Sequence, residues 1–229
     1  MPIQTKKFAG FTGNQLKLIA LFSMTCDHVG LQMFPDLLIL RIIGRLALPI
    51  FAYMIAEGCR HTRNRKKYLL RMVSLAAVCQ VVYFFAMGSL YQCILVTFSL
   101  SICLIYAFDN LQEHPGTAAR LLAMGMLLTV FVLCVVLPDF LPGFEIDYGL
   151  MGLLLPVLIY FGKPVHHFLL AGLILLCFSY GGLQWWCLAA IPLLGQYNDQ
   201  RGKYNIGKLF YIYYPAHLVV IYGLSLLLK

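Results

Sequence analysis

Asp27 and His28 stand side by side in "MTCDHVG" (24–30), inside a run that is otherwise apolar. A charge at the centre of a bilayer costs about 2.5–3.5 kcal/mol on insertion scales, so each one needs a partner or a task. The next apolar run, "PDLLILRIIGRLALPIFAYMIAEGCR", carries Arg41 and Arg45, four residues apart and therefore on one helix face. A third run, "KLFYIYYPAHLVVIY", carries His217 beside Pro215. An imidazole suits proton transfer because it titrates near neutrality. Guanidiniums stabilise negative charge that develops during a reaction, more strongly where the dielectric is low. Adjacent helical residues point about 100° apart, so Asp27 and His28 need not touch, and no Ser-His-Asp arrangement is implied. Asp27 also reads as a plain counter-ion for Arg45 or Arg41, with His28 bonded to a carbonyl. That account suits the arginines better than the histidines, whose places a structural helix could fill with Leu.

At about 1.5 Å per residue, Asp27 and His28 fall just past the midplane of a first span. Arg41 and Arg45 reach a comparable depth on the second, and His217 lies near the midplane of the last. Together they predict a cavity open near the outer face. "EIDYG" (145–149) puts Asp147 and Tyr148 at its outer mouth, although Asp is also an ordinary helix N-cap. Glu57 lies near the inner end of the second span, one turn before Arg60 and His61, where a local ion pair competes with a substrate role. Glu57, Asp147, Tyr148 and Tyr214 form the candidate substrate-contacting set. "RHTRNRKKYLLR" and "QYNDQRGKYN" supply basic and aromatic groups that could hold phosphates and stack on a purine: Arg63, Lys66, Lys67, Tyr197, Asn198, Arg201 and Lys203. The plainer reading of these is the bias of Lys and Arg toward cytoplasmic loops.

The elements that must position these groups follow from composition. Of 229 residues, 61% are hydrophobic and only 11% charged, with a mean hydropathy of +0.82; soluble domains carry about 25% charged residues. This is an integral membrane chain. Its net charge of +8 then reports topology rather than nucleic-acid binding. The basic start resembles a signal peptide, but no small-residue cleavage site follows, so a retained first span is expected. The eight cysteines are scattered singly, with no CxxC and no zinc-like spacing. They read as small hydrophobes, and no metal is expected.

Apolar runs near 16–34, 37–58, 67–87, 89–108, 118–137, 148–162, 165–181, 183–195 and 208–228 predict about nine spans (eight to ten), the sixth to eighth being short. With the N-terminus cytoplasmic and the C-terminus outside, every Lys and Arg except Arg41, Arg45 and Lys229 lies at the inner face. An all-α polytopic transmembrane bundle, one domain over residues 1–229, is the expected fold, because lipid offers backbone groups no partner and barrel-like alternation is absent. Pro49 is expected to kink the second span.

The segments "LKLIALFSMTCDHVG", "LRIIGRLALPIFAYMIAEGCRHTRNRKKYLLR", "DYGLMGLLLP", "YNDQRGK" and "FYIYYPAHL" resemble the TraX family of bacterial inner-membrane proteins, in the family's order and reaching both ends of the chain. The resemblance implies a multi-pass protein of the cytoplasmic membrane with acetyltransferase activity, acetyl-CoA as donor, and a pilin N-terminal amine as the founding acceptor. It is also similar to membrane acyltransferases that move an acyl group from cytoplasmic acyl-CoA to an acceptor across the bilayer. By position, His28 becomes the catalytic base and Arg41 and Arg45 the charge-stabilising pair. Asp27 would orient an arginine or hold the imidazole of His217. The donor nucleotide would rest on Arg63, Lys66, Lys67, Arg201 and Lys203, with its pantetheine arm threading between helices. The acceptor stays open among peptide, glycan and small molecule. Two rivals use the same buried charges: a proton-coupled transporter or channel, against which no inverted repeat is visible, and a scaffold in which they only fix helix register.

Overall fold

A computed structural model describes residues 10–203 and 206–227; Lys6, Lys7 and Lys229, assigned above to the two faces, lie outside them. The described residues form helices joined by loops, with no strand element among them. α1 spans Gly13–Gln32, α2 Leu38–Gly44, α3 Ala47–His61, α4 Arg65–Met87, α5 Ile94–Glu113 and α6 Thr117–Phe131. A π-helical turn, Val132–Val136, joins α6 to α7, Leu137–Phe140. Then come α8 (Gly149–Phe161), α9 (Val165–Tyr180), a 3-10 helix (Gly182–Ala189), α10 (Ala190–Leu194) and α11 (Gly207–Leu227). Helix occupies each of the nine expected ranges. Five helical stretches are long and apolar enough to cross a membrane: Leu38–His61, Arg65–Phe85, Ile94–Glu113, Thr117–Phe140 and Leu209–Leu227. Three further apolar helices, Gly149–Phe161, Val165–Tyr180 and Gly182–Leu194, are shorter.

Local chemistry sets the boundaries. Thr12 and Gln15 form a reciprocal capping box at the start of α1. Asn64 caps α4 by accepting from the Lys67 N–H at 2.8 Å. Gly88, in the left-handed region, closes α4. The kink expected at Pro49 is a break one turn upstream. Proline lacks an N–H and clashes with the carbonyl four residues back, which here belongs to Arg45, and helical bonding is interrupted there between α2 and α3. The fourth range begins five residues later than expected, at Ile94, because the preceding residues pair with another loop. The Gln92 N–H donates to the Glu145 carbonyl (2.7 Å) and the Asp147 N–H to the Gln92 carbonyl (3.0 Å).

α3, α5 and α8 pack at the centre with α1 and α9 against them, burying Ile50, Ile102, Ile105, Leu153, Leu155 and Leu173 completely. Ser101 donates to the Leu153 carbonyl at 2.7 Å and ties α5 to α8. The outward faces stay apolar: Phe22, Leu70, Phe85, Phe178 and Ile212 are each 64–81% exposed. An apolar surface of this extent suits lipid, not water. Polar contacts sort the chain's turns into two ends. At one, Arg65 meets Glu113 (2.8 Å), Arg60 bonds the Ile159 and Tyr160 carbonyls, and the Phe11 N–H donates to Gln196 (2.8 Å). At the other, loop 88–93 meets loop 141–148.

α1 and α2 cross closely because glycines face them at the contact. A methyl group on Gly30 would stand 2.9 Å from Leu40 Cβ, and one on Gly44 would overlap the Asp27 side chain. Gly44→Ala is therefore expected to destabilise the fold by about 1–3 kcal/mol, the usual cost of overpacking. Gly125→Ala, which meets open space, should not. Thermal unfolding of the two variants in detergent checks this.

Candidate functional site

The break between α2 and α3 turns Arg41 and Arg45 toward α1, where Asp27 accepts from both. Arg41 Nη1 lies 3.2 Å from Asp27 Oδ2, and Arg45 Nη2 pairs with Asp27 Oδ1. Arg45 is then used nearly to capacity. Its Nε donates to the Arg41 carbonyl (3.3 Å), and its Nη1 to the Tyr148 hydroxyl (3.0 Å) and Gln184 Oε1 (3.3 Å). Arg41 is less committed: among the described residues its bonds, to the Asp27 side chain and carbonyl, all run through Nη1. One carboxylate against two guanidiniums leaves the cluster net positive, with spare donors on Arg41.

His28, one residue on, faces α11. The Tyr213 carbonyl can only accept, so His217 Nδ1, 3.1 Å away, carries a hydrogen. A neutral His217 then offers Nε2 as an acceptor to His28 Nδ1 at 2.9 Å. The hydrogen of a neutral His28 is thereby held at Nδ1 and its Nε2 keeps a lone pair. The two rings lie within 9° of parallel, and Tyr213 is itself fixed by its hydroxyl at 2.6 Å from Thr25. Of the two roles considered for Asp27, the structure realises the grip on the arginines; His217 is held by His28 and Tyr213 instead.

A cavity of about 360 Å³ joins these groups. Asp27 and His28 line it from α1, Arg41 and Arg45 from α2 and its end, Phe51 from α3, and Tyr214 from α11. The paired loops close its mouth with Tyr91, Glu145, Asp147 and Tyr148. His217 stands behind His28, buried. Asp147 is not the N-cap of α8. Tyr148 takes that place with φ 55°, no side-chain cap is made, and the Asp147 carboxylate instead accepts from the Tyr91 hydroxyl at 2.6 Å. Burial pushes the Asp147 carboxyl up to about 6, opposed by the Tyr91 hydrogen bond and the charge of Arg45. A left-handed backbone is an outlier for a residue as bulky as Tyr; at Tyr148 the hydroxyl's bond to Arg45 helps hold it.

The other candidates lie elsewhere. Glu57 is at the opposite end, bound to Arg60 (2.6 Å) and His61 (3.2 Å), so its local ion pair forms and it does not line the cavity. Arg63, Lys66, Lys67, Arg201 and Lys203 are exposed, and Tyr197 packs edge-on against Tyr53 at 5.8 Å. With Asn198 they occupy the end where the 196–201 loop accepts from the first N–H groups of α1, Gly13 to Gln200 (2.8 Å) and Asn14 to Arg201 (3.0 Å). Sequence reasoning missed Gln184, Tyr91 and Tyr213. Gln184 is only 3% exposed, and its Nε2 has no partner among the described residues. A lone amide within an apolar run is the signal that could have found it. It also missed Arg65, which pairs with Asp109 (3.1 Å) as well as Glu113, and Tyr160, which donates to Asp109 at 2.7 Å. The eight cysteines are all free thiols.

Comparison with known proteins finds relatives of this sequence. A probable fimbrial assembly protein, FimC of serogroup H1, from Dichelobacter nodosus is 38% identical over 77 residues, 32% of each chain. An uncharacterised protein of Rickettsia prowazekii (strain Madrid E) is 33% identical over 95 residues, 42% of this chain and 37% of that one. The chain thus spans about a third of the length of the curated relatives it matches. No solved structure matches it. The family model described as TraX protein matches residues 12–225, which takes in both arginines, both histidines and the loop that carries Asp147. The chain belongs to the TraX family.

Proposed function

We propose that this protein is an acetyl (acyl) transferase embedded in the bacterial inner membrane, taking its acyl group from cytoplasmic acetyl-CoA and passing it to an amine or hydroxyl acceptor. The observation that carries this reading is the chain from the Tyr213 carbonyl through His217 to His28. It leaves an unprotonated imidazole nitrogen on a residue that lines the same cavity as two guanidiniums. As the acceptor nitrogen or oxygen bonds to the thioester carbonyl carbon, His28 Nε2 takes the acceptor's proton. The spare N–H groups of Arg41 meet the oxyanion, while Arg45, gripped by Asp27, Tyr148 and Gln184, keeps the cluster in place. When the carbon–sulfur bond breaks, the His28 imidazolium returns the proton to the departing thiolate. The products are the acylated acceptor and the free thiol of CoA.

Nine passes with the N-terminus cytoplasmic accompany this reading. The end that gathers Arg60, Arg63, Lys66, Lys67, Arg201 and Lys203 then faces the cytoplasm, as the Lys/Arg bias requires, and offers the donor's phosphates their counter-charges. The mouth with Glu145 and Asp147 faces outward. The fimbrial-assembly name of the Dichelobacter relative favours a surface-fibre subunit as acceptor.

His28→Ala is expected to lower thiol release from acetyl-CoA by on the order of 10²–10⁴-fold, the usual weight of a general base, with CoA affinity retained. Stopped-flow thiol detection and a CoA titration read the two quantities, and near-normal turnover would remove His28 from the mechanism. His217→Gln, whose amide oxygen can still accept from His28, should retain more activity than His217→Leu; equal losses would mean that His217 only fills space. Asp147 is ionised above about pH 6 and neutral below it. An amine acceptor, recruited as its ammonium ion and losing one proton to water before it attacks, should therefore show a KM that rises as pH falls through 6, and Asp147→Asn should flatten that profile. A hydroxyl acceptor should show a flat profile in both proteins.

A further inference from the structure

A second opening, about 160 Å³, lies below the reaction cavity toward the basic end. Lys17 of α1, Met54 and Ile55 of α3, Tyr68 and Met72 of α4, and Tyr211 of α11 line it. Its walls are apolar apart from Lys17 and the tyrosine hydroxyls. Phe51 and Tyr214 line this opening and the reaction cavity alike, so these two side chains stand between them. Phe51 is steadied edge-on by Phe210 at 6.4 Å, and Tyr214 edge-on by His217 at 5.2 Å. Along α1, Lys17 at one end and His28 at the other are eleven residues apart, about 16 Å of helix.

We infer that this groove is the passage by which the donor's pantetheine arm reaches His28, with Lys17 at its phosphate end and Phe51 and Tyr214 as the threshold into the reaction cavity. The inference rests on the acyl-transfer reading and adds the route. A pantetheine arm is thin, uncharged and flexible, with a few amides along an otherwise apolar chain, and it is tethered to phosphates that cannot enter lipid. It therefore needs an apolar slot that starts beside cationic groups and ends at the base, and this slot has both ends. Lys17, also within the electrostatic reach of Arg201, supplies the first; the His28 cavity supplies the second. Met54 and Met72 give the walls the adaptability to open around the arm.

The test compares two donors in nanodiscs: acetyl-CoA, and S-acetyl-N-acetylcysteamine, which keeps the thioester but lacks the nucleotide and most of the arm. Phe51→Trp narrows the threshold and Lys17→Gln removes the cation. In each variant the ratio of acetyl-CoA turnover to truncated-donor turnover is expected to fall by roughly tenfold or more, the scale of a misplaced reacting group. For Lys17→Gln the loss should be in KM, and for Phe51→Trp in kcat with CoA binding retained. An unchanged ratio in both variants, whether turnover is normal or both donors fall together, overturns the route while leaving acyl transfer standing. A wild type that releases thiol from neither donor overturns the acyl-transfer reading, and the route with it. A groove that copurifies with a lipid chain which acetyl-CoA does not displace overturns the route as well.

Discussion

One carboxylate shared between two guanidiniums, in surroundings where water is scarce, governs how the first three helices sit. A carboxylate at Asp27 is costly against lipid without a partner, and so are the guanidiniums of Arg41 and Arg45 without Asp27. The three meet only because α1 and α2 approach more closely than side chains of ordinary size would allow, through Gly30 and Gly44. The break at Arg45 lets α2 present both arginines while α3 continues toward the opposite end. Packing and electrostatics are thus a single constraint here. Removing a partner would leave a buried charge, and filling a glycine would separate the partners.

The same triad organises the groups beyond it. Arg45 extends from Asp27 to Tyr148 and Gln184, linking the first helical pair to the loop before α8 and to the 3-10 helix. His28 lines the same cavity, but its Nδ1 turns to α11, where its hydrogen-bonding state is set by His217 and Tyr213. Charge and proton position are therefore managed by separate partners around one cavity. Adjacent residues about 100° apart on a helix serve both purposes without competing for the same partner.

Much of the architecture was legible in the sequence because lipid imposes a simple rule of long apolar helical runs with breaks at Gly, Pro and polar clusters. The nine ranges coincide with helix, and the shift of the fourth to Ile94 came from loop pairing at Gln92, a non-local contact that periodicity does not encode. At the site, Arg41, Arg45 and Asp27 were readable as a group because buried charge must be compensated. Gln184 and Tyr213 were not, since a neutral amide or a tyrosine carbonyl carries no such demand until a neighbour is known. Asp147 was weighed as an N-cap from local preference alone; its partner, Tyr91, lies more than fifty residues away. The pairing of Arg65 with Asp109 was hidden in the same way, beneath a run of basic residues that reads as topology.

Tyr148 and Gly149 both hold positive φ, at 55° and 45°, and this stretch of backbone is costly for the tyrosine. Its hydroxyl is bound by the same guanidinium nitrogen that bonds Gln184. The loop before α8 is therefore a loaded spring whose catch lies at the break between α2 and α3. Any anion that draws Arg45 away from Tyr148 lowers the cost of releasing the loop. By reciprocity of linked equilibria, whatever stabilises the released loop makes Arg45 a better anion ligand. A ligand at the mouth and a charge at the core thus inform one another through a single side chain.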